Sequence, residues 1–279
     1  MRGLRGGPLR GVLLAGAVAV GIVPAAQAET RFEAHYNAYL TLLPLTFATG
    51  NLTARLDSSD GYVLDLTASG FGFGIAAKSE GRIAGRVTPT AAAIDTRGGS
   101  DDRRSVRMAL RGGTVFYDKV EPPLPPRPRV PLTQADRQGV VDPVSALLMP
   151  THGGDLSPAM CERTLPVFEG TERFDIVLTY LRTEKVQTAK GYRGPVLVCG
   201  ARYKAIAGHR PGAKQVTYME HNKSIEAWLA PVPKTHMLLP WRISVGTMVG
   251  TLVIEADRFG IAGDGADAPD VAAAGKDRR

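Results

Sequence analysis

The chain has 279 residues, of which 34 are lysine or arginine and 27 are aspartate or glutamate, and its formal net charge is +7 at pH 7. A dispersed surplus of this size is weak support for nucleic acid, so no nucleic-acid partner is expected; it fits a solvated surface or an exported protein near an anionic membrane. If the N-terminal signal peptide described below is removed, about 250 residues remain, enough to bury a sizeable core as one β domain or as two smaller domains.

The N-terminus has the pattern of a secretory signal peptide. Three arginines precede the apolar run 11–23, and Ala26-Gln27-Ala28 closes it. This order predicts a signal peptide over residues 1–28 with cleavage after Ala28. The apolar run is shorter than the roughly 20 residues that span a bilayer, which argues against an uncleaved anchor. We therefore expect an exported product without an integral membrane segment, in which residues 1–28 no longer contribute their three arginines and the net charge falls to +4.

The first half of the mature chain predicts strands separated by tight turns. Residues 31–56 favour two strands with a break near Pro44, and Asp60-Gly61 supplies a hairpin turn. Over residues 62–68 apolar residues alternate, which places one row on a sheet face. The glycines of residues 70–74 indicate a bend, a bulge or a close backbone approach, and the segment lacks the Lys-Ser/Thr of a phosphate-binding loop.

The next segments run from strands into a connector. Residues 78–87 continue as strand, and the sequence DRRSVRMALR, bracketed by glycine pairs, predicts another with its arginines on a solvated face or, less favoured, an anion-binding face. Residues 121–132 are proline-rich, so they predict an extended connector; their PxxPxR pattern also fits a peptide ligand, a use not expected of an exported protein. Residues 142–149, DPVSALLM, predict a short helix.

The second half returns to strands. The alternation of apolar residues predicts strands at 161–168, 174–180, 192–206, 214–220, 224–229, 238–246 and 248–259. Residues 261–279 lack apolar periodicity and predict a disordered tail. The fold expected from these elements is all-β, an antiparallel, strongly curved sheet or open barrel with one short helix after the connector. We expect one β-rich domain over residues 29–260, because each half alone would leave an apolar sheet face uncovered.

Both cysteines lie in the second half, at Cys161 and Cys199. Two cysteines in an exported protein favour one disulfide, because oxidising compartments form and keep such bonds. A redox role would require a CxxC spacing or a neighbouring base, and neither is present. The pair is therefore interpreted as a structural link with no catalytic part.

The sequence contains no pattern that announces a catalytic or metal site. Histidines stand at positions 35, 152, 209, 221 and 236 without a metal-helix spacing, and no serine lies in GxSxG. No cofactor and no metal are expected, although a site assembled in space stays possible. Gly208-His209-Arg210-Pro211-Gly212 is interpreted as a turn between strands, with a substrate or anion contact as the less favoured alternative.

The second half resembles a known family of exported bacterial proteins. The segments DPVSALLM, CERTLPVFEGTERFDIVL, GYRGPVLVCGARYKAIAGHR, IEAWLAPV and LLPWRISVGTMVGTLVIEADRF carry the resemblance, which covers residues 142–259 and extends to the first half in its strand and glycine pattern. They are similar to the family grouped as domain of unknown function 3108. The resemblance implies a β-rich fold and the periplasm of a Gram-negative bacterium. It implies no catalytic residue.

Three functional hypotheses follow. The leading one is a non-enzymatic periplasmic protein whose curved sheet binds a lipid or another apolar or amphipathic envelope component. Its possible ligand rim comprises Phe71 and Phe73 in the glycine-rich segment, with His209 and Arg210. The alternatives are a structural module that docks an envelope protein, and a hydrolase with a dispersed site.

Overall fold

The computed structural model describes residues 29–99, 102–151, 153, 156–233 and 235–262. Fifteen strands make up most of their regular structure: β1 (Thr30–Leu40), β2 (Leu43–Leu56), β3 (Gly61–Gly70), β4 (Phe73–Ile83), β5 (Val87–Gly98), β6 (Asp102–Arg111), β7 (Thr114–Glu121), β8 (Met149–Pro150), β9 (Arg163–Phe168), β10 (Arg173–Gln187), β11 (Lys190–Gly191), β12 (Arg193–Ala207), β13 (Ile225–Val232), β14 (Met237–Thr247) and β15 (Gly250–Ile261). The helix α1 is Lys214–His221, and 3-10 turns occupy Ala135–Arg137, Ser145–Leu147 and Pro158–Met160.

All fifteen strands belong to one sheet. The main path has the order β7-β6-β5-β4-β3-β2-β1-β15-β14-β13-β12-β10-β9, with β11 paired to β15 and β8 to β14. Neighbours along the path are antiparallel, as predicted. Strands on both sides of the proline-rich connector join this sheet, because the first strand, β1, pairs with the last, β15. Among the described residues, no helix is long and apolar enough to cross a membrane.

Side chains from both halves of the sheet meet in an interior cluster, whose buried members include Phe32, Tyr62, Leu64, Trp228, Trp241 and Phe259. Alternation along β3 directs Tyr62 and Leu64 inward, as a period of two residues requires. From β1 and β15, the rings of Phe32 and Phe259 meet edge to face with centroids 4.6 Å apart. Complete burial of such side chains contributes about 1.5–3 kcal/mol each. The apolar inner face is therefore what makes the sheet curl upon itself.

A second apolar layer, the outer cluster, covers the other face of β12, β13 and β14. Its buried members are Met149, Met160, Cys161, Leu178, Leu197, Cys199, Ala201, Ile225, Leu229 and Leu238. Cys161 and Cys199 form a disulfide with Cα atoms 5.5 Å apart, and both are fully buried. The predicted disulfide is confirmed: it fastens the chain before β9 to strand β12.

The two ends of the sheet approach one another across a short extended segment. Val140 donates its N–H to the carbonyl of Gly113, between β6 and β7, at 3.0 Å, and Val141 donates to the carbonyl of Pro166 on β9 at 2.9 Å. Phe168 donates its N–H back to the carbonyl of Val141 at 2.9 Å. The barrel is thus open as a sheet but bridged by residues 140–141.

A buried polar network lies beside this bridge. The Oδ1 atom of Asp142 accepts the N–H groups of Val144 at 2.9 Å and Ser145 at 3.1 Å. Its Oδ2 atom accepts the hydroxyls of Ser79 and Ser145, and the hydroxyl of Tyr62 lies 2.7 Å from Ser145 Oγ. Burial raises the pKa of Asp142, and these hydrogen bonds oppose the rise. Asp142 therefore holds the bridge in the barrel through satisfied polar contacts.

The helical segments differ from the predictions. The predicted strand at 214–220 is wrong, because these residues form α1. Val216 and Met219 are both half-buried on this helix, and their spacing of three residues fits a helical period. Val216 and Tyr218, two residues apart, fit a strand period equally well, and so short a segment does not distinguish the two. The predicted short helix at 142–149 is a single 3-10 turn, Ser145–Leu147, because the chain extends at Leu148 and pairs with β14 as β8.

Several strand boundaries also differ. The break between β1 and β2 lies at residues 41–42, before Pro44, and strands β5 and β7 had no prediction. The alanine-rich sequence of β5 has a weak intrinsic preference for strands, which explains why the sequence did not predict this strand. β15 continues to Ile261, one residue beyond the predicted end of the domain. The predicted signal peptide, His152 and the predicted tail from residue 263 lie outside the described residues.

Candidate functional site

Three neighbouring hairpin turns at one end of the open barrel expose large apolar side chains. We call this set the apolar fringe: Leu42, Leu43 and Leu45 at the β1–β2 turn, Phe71 at the β3–β4 turn, and Met248 and Val249 at the β14–β15 turn. The exposed fractions of these six side chains run from 62% to 89%. Single exposed apolar residues are ordinary, whereas a contiguous group marks an interaction surface.

The strand order places these three turns side by side. β1 pairs with β15 on one side and with β2 on the other, and β2 pairs with β3 as far as Gly70. Between the β1–β2 and β14–β15 turns, Thr41 donates its N–H to the carbonyl of Thr251 at 3.0 Å. The Cγ atom of Leu42 lies 3.2 Å from the position that a Cβ would take on Gly250. The β1–β2 and β14–β15 turns are therefore in direct contact, and the β3–β4 turn lies beside β2 at the level of Ala48.

In the glycine-rich β3–β4 turn, Gly70 and Gly72 are required for two different structural reasons. Gly72 has φ = 73°, a conformation that favours glycine. A Cβ on Gly70 would lie 2.5 Å from the carbonyl oxygen of Phe47, so β2 approaches too closely for any side chain. Phe71 between them is 87% exposed, whereas Phe73 is half-buried with its ring against Gly70. The predicted bend and close approach are confirmed.

An uncharged band extends inward from the fringe along five of the strands that its turns connect. Along β1, β3, β4, β14 and β15, the first acidic, basic or histidine residue stands five positions inside the strand end that faces the fringe: His35, Asp65, Lys78, Arg242 and Glu255. At about 3.3 Å per residue, the band is roughly 16 Å deep along the strands. The turns at the opposite end differ, since the β2–β3 turn contains Asp57 and Asp60.

Basic side chains flank the fringe beside the β3–β4 turn. The next hairpin, β5–β6, carries Arg97, Arg103 and Arg104, all of them exposed. The Nη2 atom of Arg97 lies 3.4 Å from the position of a Cβ on Gly74, so its guanidinium extends towards the fringe hairpin. Asp101 and Asp102 belong to the same hairpin sequence, so its three arginines exceed its acidic residues by one.

The other flank is formed by α1 beside the β14–β15 turn. Tyr218 donates its hydroxyl to the carbonyl of Gly246 at 3.0 Å, and the side chain of Asn222 donates to the same oxygen at 2.9 Å. Lys223 follows directly and is exposed. The fringe thus has cationic side chains on both sides and an aromatic hydroxyl at its border.

The four residues predicted as a ligand rim lie on two different loops. Phe71 and Phe73 lie in the fringe hairpin, whereas His209 and Arg210 lie between β12 and α1. There the carbonyl of His209 accepts the N–H of Val130, in the proline-rich connector, at 2.9 Å. Their role as a ligand rim stays a prediction. Of the six fringe residues, the sequence predicted Phe71 alone. The uncharged run LTLLPLTF, residues 40–47, departs from strand alternation and is the sequence feature that indicates the β1–β2 part of the fringe.

The histidines do not form a hydrolytic or metal site within the described residues. His35 Nδ1 lies 2.6 Å from Asp257 Oδ1, and Asn37 donates to the other carboxylate oxygen at 2.9 Å. This pair is partly exposed on β1 and β15, and its hydrogen bonds lower the pKa of Asp257 against the effect of burial. In the same described part of the chain, no histidine bonds a serine, and no group of three or more His, Cys, Asp or Glu could hold a metal.

Comparisons with known proteins give a family and one similar structure. The family model described as "Protein of unknown function (DUF3108)" matches residues 31–257. A solved β-barrel-like protein of domain of unknown function DUF1849 from Brucella abortus is similar, with a TM-score of 0.44 and 8% sequence identity over 83% of this chain and 98% of that chain. No curated protein sequence matches the chain.

Proposed function

The chain belongs to the DUF3108 family, and we propose that this member is a non-enzymatic exported protein that binds an apolar or amphipathic component of the cell envelope. The observation that carries the proposal is the apolar fringe, six large exposed side chains on three adjacent turns. Burial of such a side chain contributes about 1.5–3 kcal/mol, so the set supplies roughly 9 kcal/mol at the lower bound. Association costs at least about 4 kcal/mol, so the surplus suits reversible binding.

The proposed location is the periplasm of a Gram-negative bacterium, reached through the signal peptide predicted over residues 1–28. The buried disulfide between Cys161 and Cys199 supports this location, because such bonds persist in oxidising compartments. In that compartment the envelope membranes supply amphipathic molecules at high local concentration.

The proposed binding surface is the fringe itself, outside the barrel. The inner face is occupied by the interior cluster, which includes Phe32, Trp228, Trp241 and Phe259. Clefts of about 580 Å³ beside β9 and about 560 Å³ beside β4 and β6 are lined by none of the six fringe residues. The amphipathic component would therefore cover the turns from outside.

Binding to detergent micelles tests this proposal. The purified protein should bind dodecylphosphocholine micelles in isothermal titration, and the double variant Leu43→Ser/Met248→Ser should bind at least tenfold more weakly. Phe116→Ser is the matched control, because Phe116 is 63% exposed on β7, away from the fringe, and its change should leave binding intact. Absence of micelle binding by the native protein, or an equal loss in both variants, would contradict the proposal.

Docking of an envelope protein is the second candidate. It is favoured by the 580 Å³ cleft, which lies along β9, the end strand of the sheet. The cleft is lined by Arg163 and Thr164, and burial lowers the pKa of Arg163. A photoreactive residue at position 164 should crosslink one envelope protein in cells; no reproducible crosslinked product would count against docking. The hydrolase alternative has no comparable support, because the His35–Asp257 pair lies on the surface without a bonded serine.

A further inference from the structure

We infer that the occupant of the apolar fringe is the surface of a lipid bilayer with anionic headgroups, on which the open barrel stands end-on. This rests on the proposed function and names its partner. The fringe residues project from separate turns instead of lining a cavity. A small ligand is bound best by a concave site, whereas a fluid bilayer closes around each projecting side chain.

The depth of the uncharged band suits shallow insertion. Interfacial elements bury their apolar faces about 5–10 Å into the boundary between headgroups and acyl chains. From the β14–β15 turn, five residues separate the strand ends from Arg242 and Glu255, which is roughly 16 Å along the strands. The tips can therefore enter the boundary while these two charged residues, which pair at 3.2 Å, stay in water.

The charges around the fringe match an anionic surface. Arg97 and Arg103 lie on the hairpin next to Phe71, and Lys223 lies beside the β14–β15 turn on the other flank. All three are exposed. Each cationic side chain near an anionic leaflet strengthens binding about fivefold. Tyr218 lies at the border, where an amphipathic ring is favoured at a membrane interface.

The opposite end of the barrel is unsuited to the same surface, which gives the docking one direction. Its β2–β3 turn carries Asp57 and Asp60, both exposed, and hydrogen bonds from Ser59 and Gly61 lower the pKa of Asp57. The β10–β12 hairpin crosses that end, where Tyr192 donates its N–H to Phe259. Arg86 on the β4–β5 turn lies at the same end, so charge alone does not set the direction. The described β2–β3 and β4–β5 turns carry no exposed large apolar side chain, and the fringe end is therefore the one that faces the membrane.

Flotation with vesicles tests the inference. Vesicles of phosphatidylcholine with about 30% phosphatidylglycerol should bind the purified protein at about 0.05 M salt, and binding should weaken at about 0.5 M, where screening is strong. The double variant Arg97→Gln/Arg103→Gln should bind the anionic vesicles at least tenfold more weakly. Arg86→Gln, in the β4–β5 turn at the opposite end, is the matched control and should bind as the native protein does.

The outcomes separate this inference from the proposed function. If micelles bind through the fringe but no vesicle does, the bilayer inference fails and the proposed function stands. If neither binds, both fail. Equal binding to vesicles with and without phosphatidylglycerol overturns the anionic partner. A dimer in solution that Leu43→Ser/Met248→Ser converts to monomer would show that a second copy covers the fringe, and would also overturn the inference. Circular dichroism of each variant confirms that it folds.

Discussion

Loss of the disulfide between Cys161 and Cys199 should lower the free energy of unfolding by about 4–6 kcal/mol. The two cysteines are 38 residues apart in sequence. In the chain-entropy model, a closed loop of that length contributes about 4 kcal/mol. Both side chains are fully buried in the outer cluster, so Cys161→Ala/Cys199→Ala also removes packed sulfur atoms and costs roughly 1–2 kcal/mol more.

The measurement is thermal and urea unfolding followed by circular dichroism. For a chain of this size each kcal/mol shifts Tm by about 2–4 °C, so reduction alone should lower it by about 8–16 °C. The double alanine variant should fall further, because it loses packing as well as the crosslink. The reasoning is refuted if reduction changes the free energy of unfolding by less than about 1 kcal/mol, or if both thiols alkylate freely without reductant.

Three further predictions concern the bridge between the ends of the sheet. Asp142→Ala should destabilise the protein by about 3–5 kcal/mol in urea unfolding, since it leaves buried donors of Val144 and Ser145 unpaired. The pKa of Asp142 is raised in the folded protein, so its protonated carboxyl contributes to stability in full below the unfolded pKa of about 4. This contribution is lost as the pH rises through the folded pKa. Over that pH range the free energy of unfolding should therefore fall less in Asp142→Asn than in the native protein. Gly170→Ala should cost about 2–3 kcal/mol, because φ is 95° and its Cβ would lie 2.4 Å from Val106. Wild-type stability in these variants would contradict the described contacts between the two ends of the sheet.

Much of the fold follows from local patterns. Alternation over residues 62–68 identifies β3, and Val106, Met108 and Leu110 are all buried on β6. The Asp60-Gly61 pair marks a real turn, in which Asp60 has φ = 64°. These features depend on neighbours in sequence, so periodicity and turn chemistry suffice to predict them.

The remaining features depend on contacts between distant residues. Leu40 pairs with Leu252, so no local pattern predicts that the β1–β2 and β14–β15 turns meet in the fringe. In the same way Ser79 and Asp142 are 63 residues apart, and the sequence around Asp142 predicts a short helix but not a buried network. The helix α1 shows a third limit, because its eight residues fit both a helical and a strand period.

The most direct test of membrane docking through the fringe is the fluorescence of a tryptophan introduced at position 71. Phe71→Trp should show a blue-shifted emission with anionic vesicles and strong quenching by brominated acyl chains, because native Trp228 and Trp241 are buried and add a constant background. Phe116→Trp, on β7, should show neither change. Insertion of the fringe would be contradicted if the protein binds the vesicles in flotation but the emission of the tryptophan at position 71 stays unshifted and unquenched.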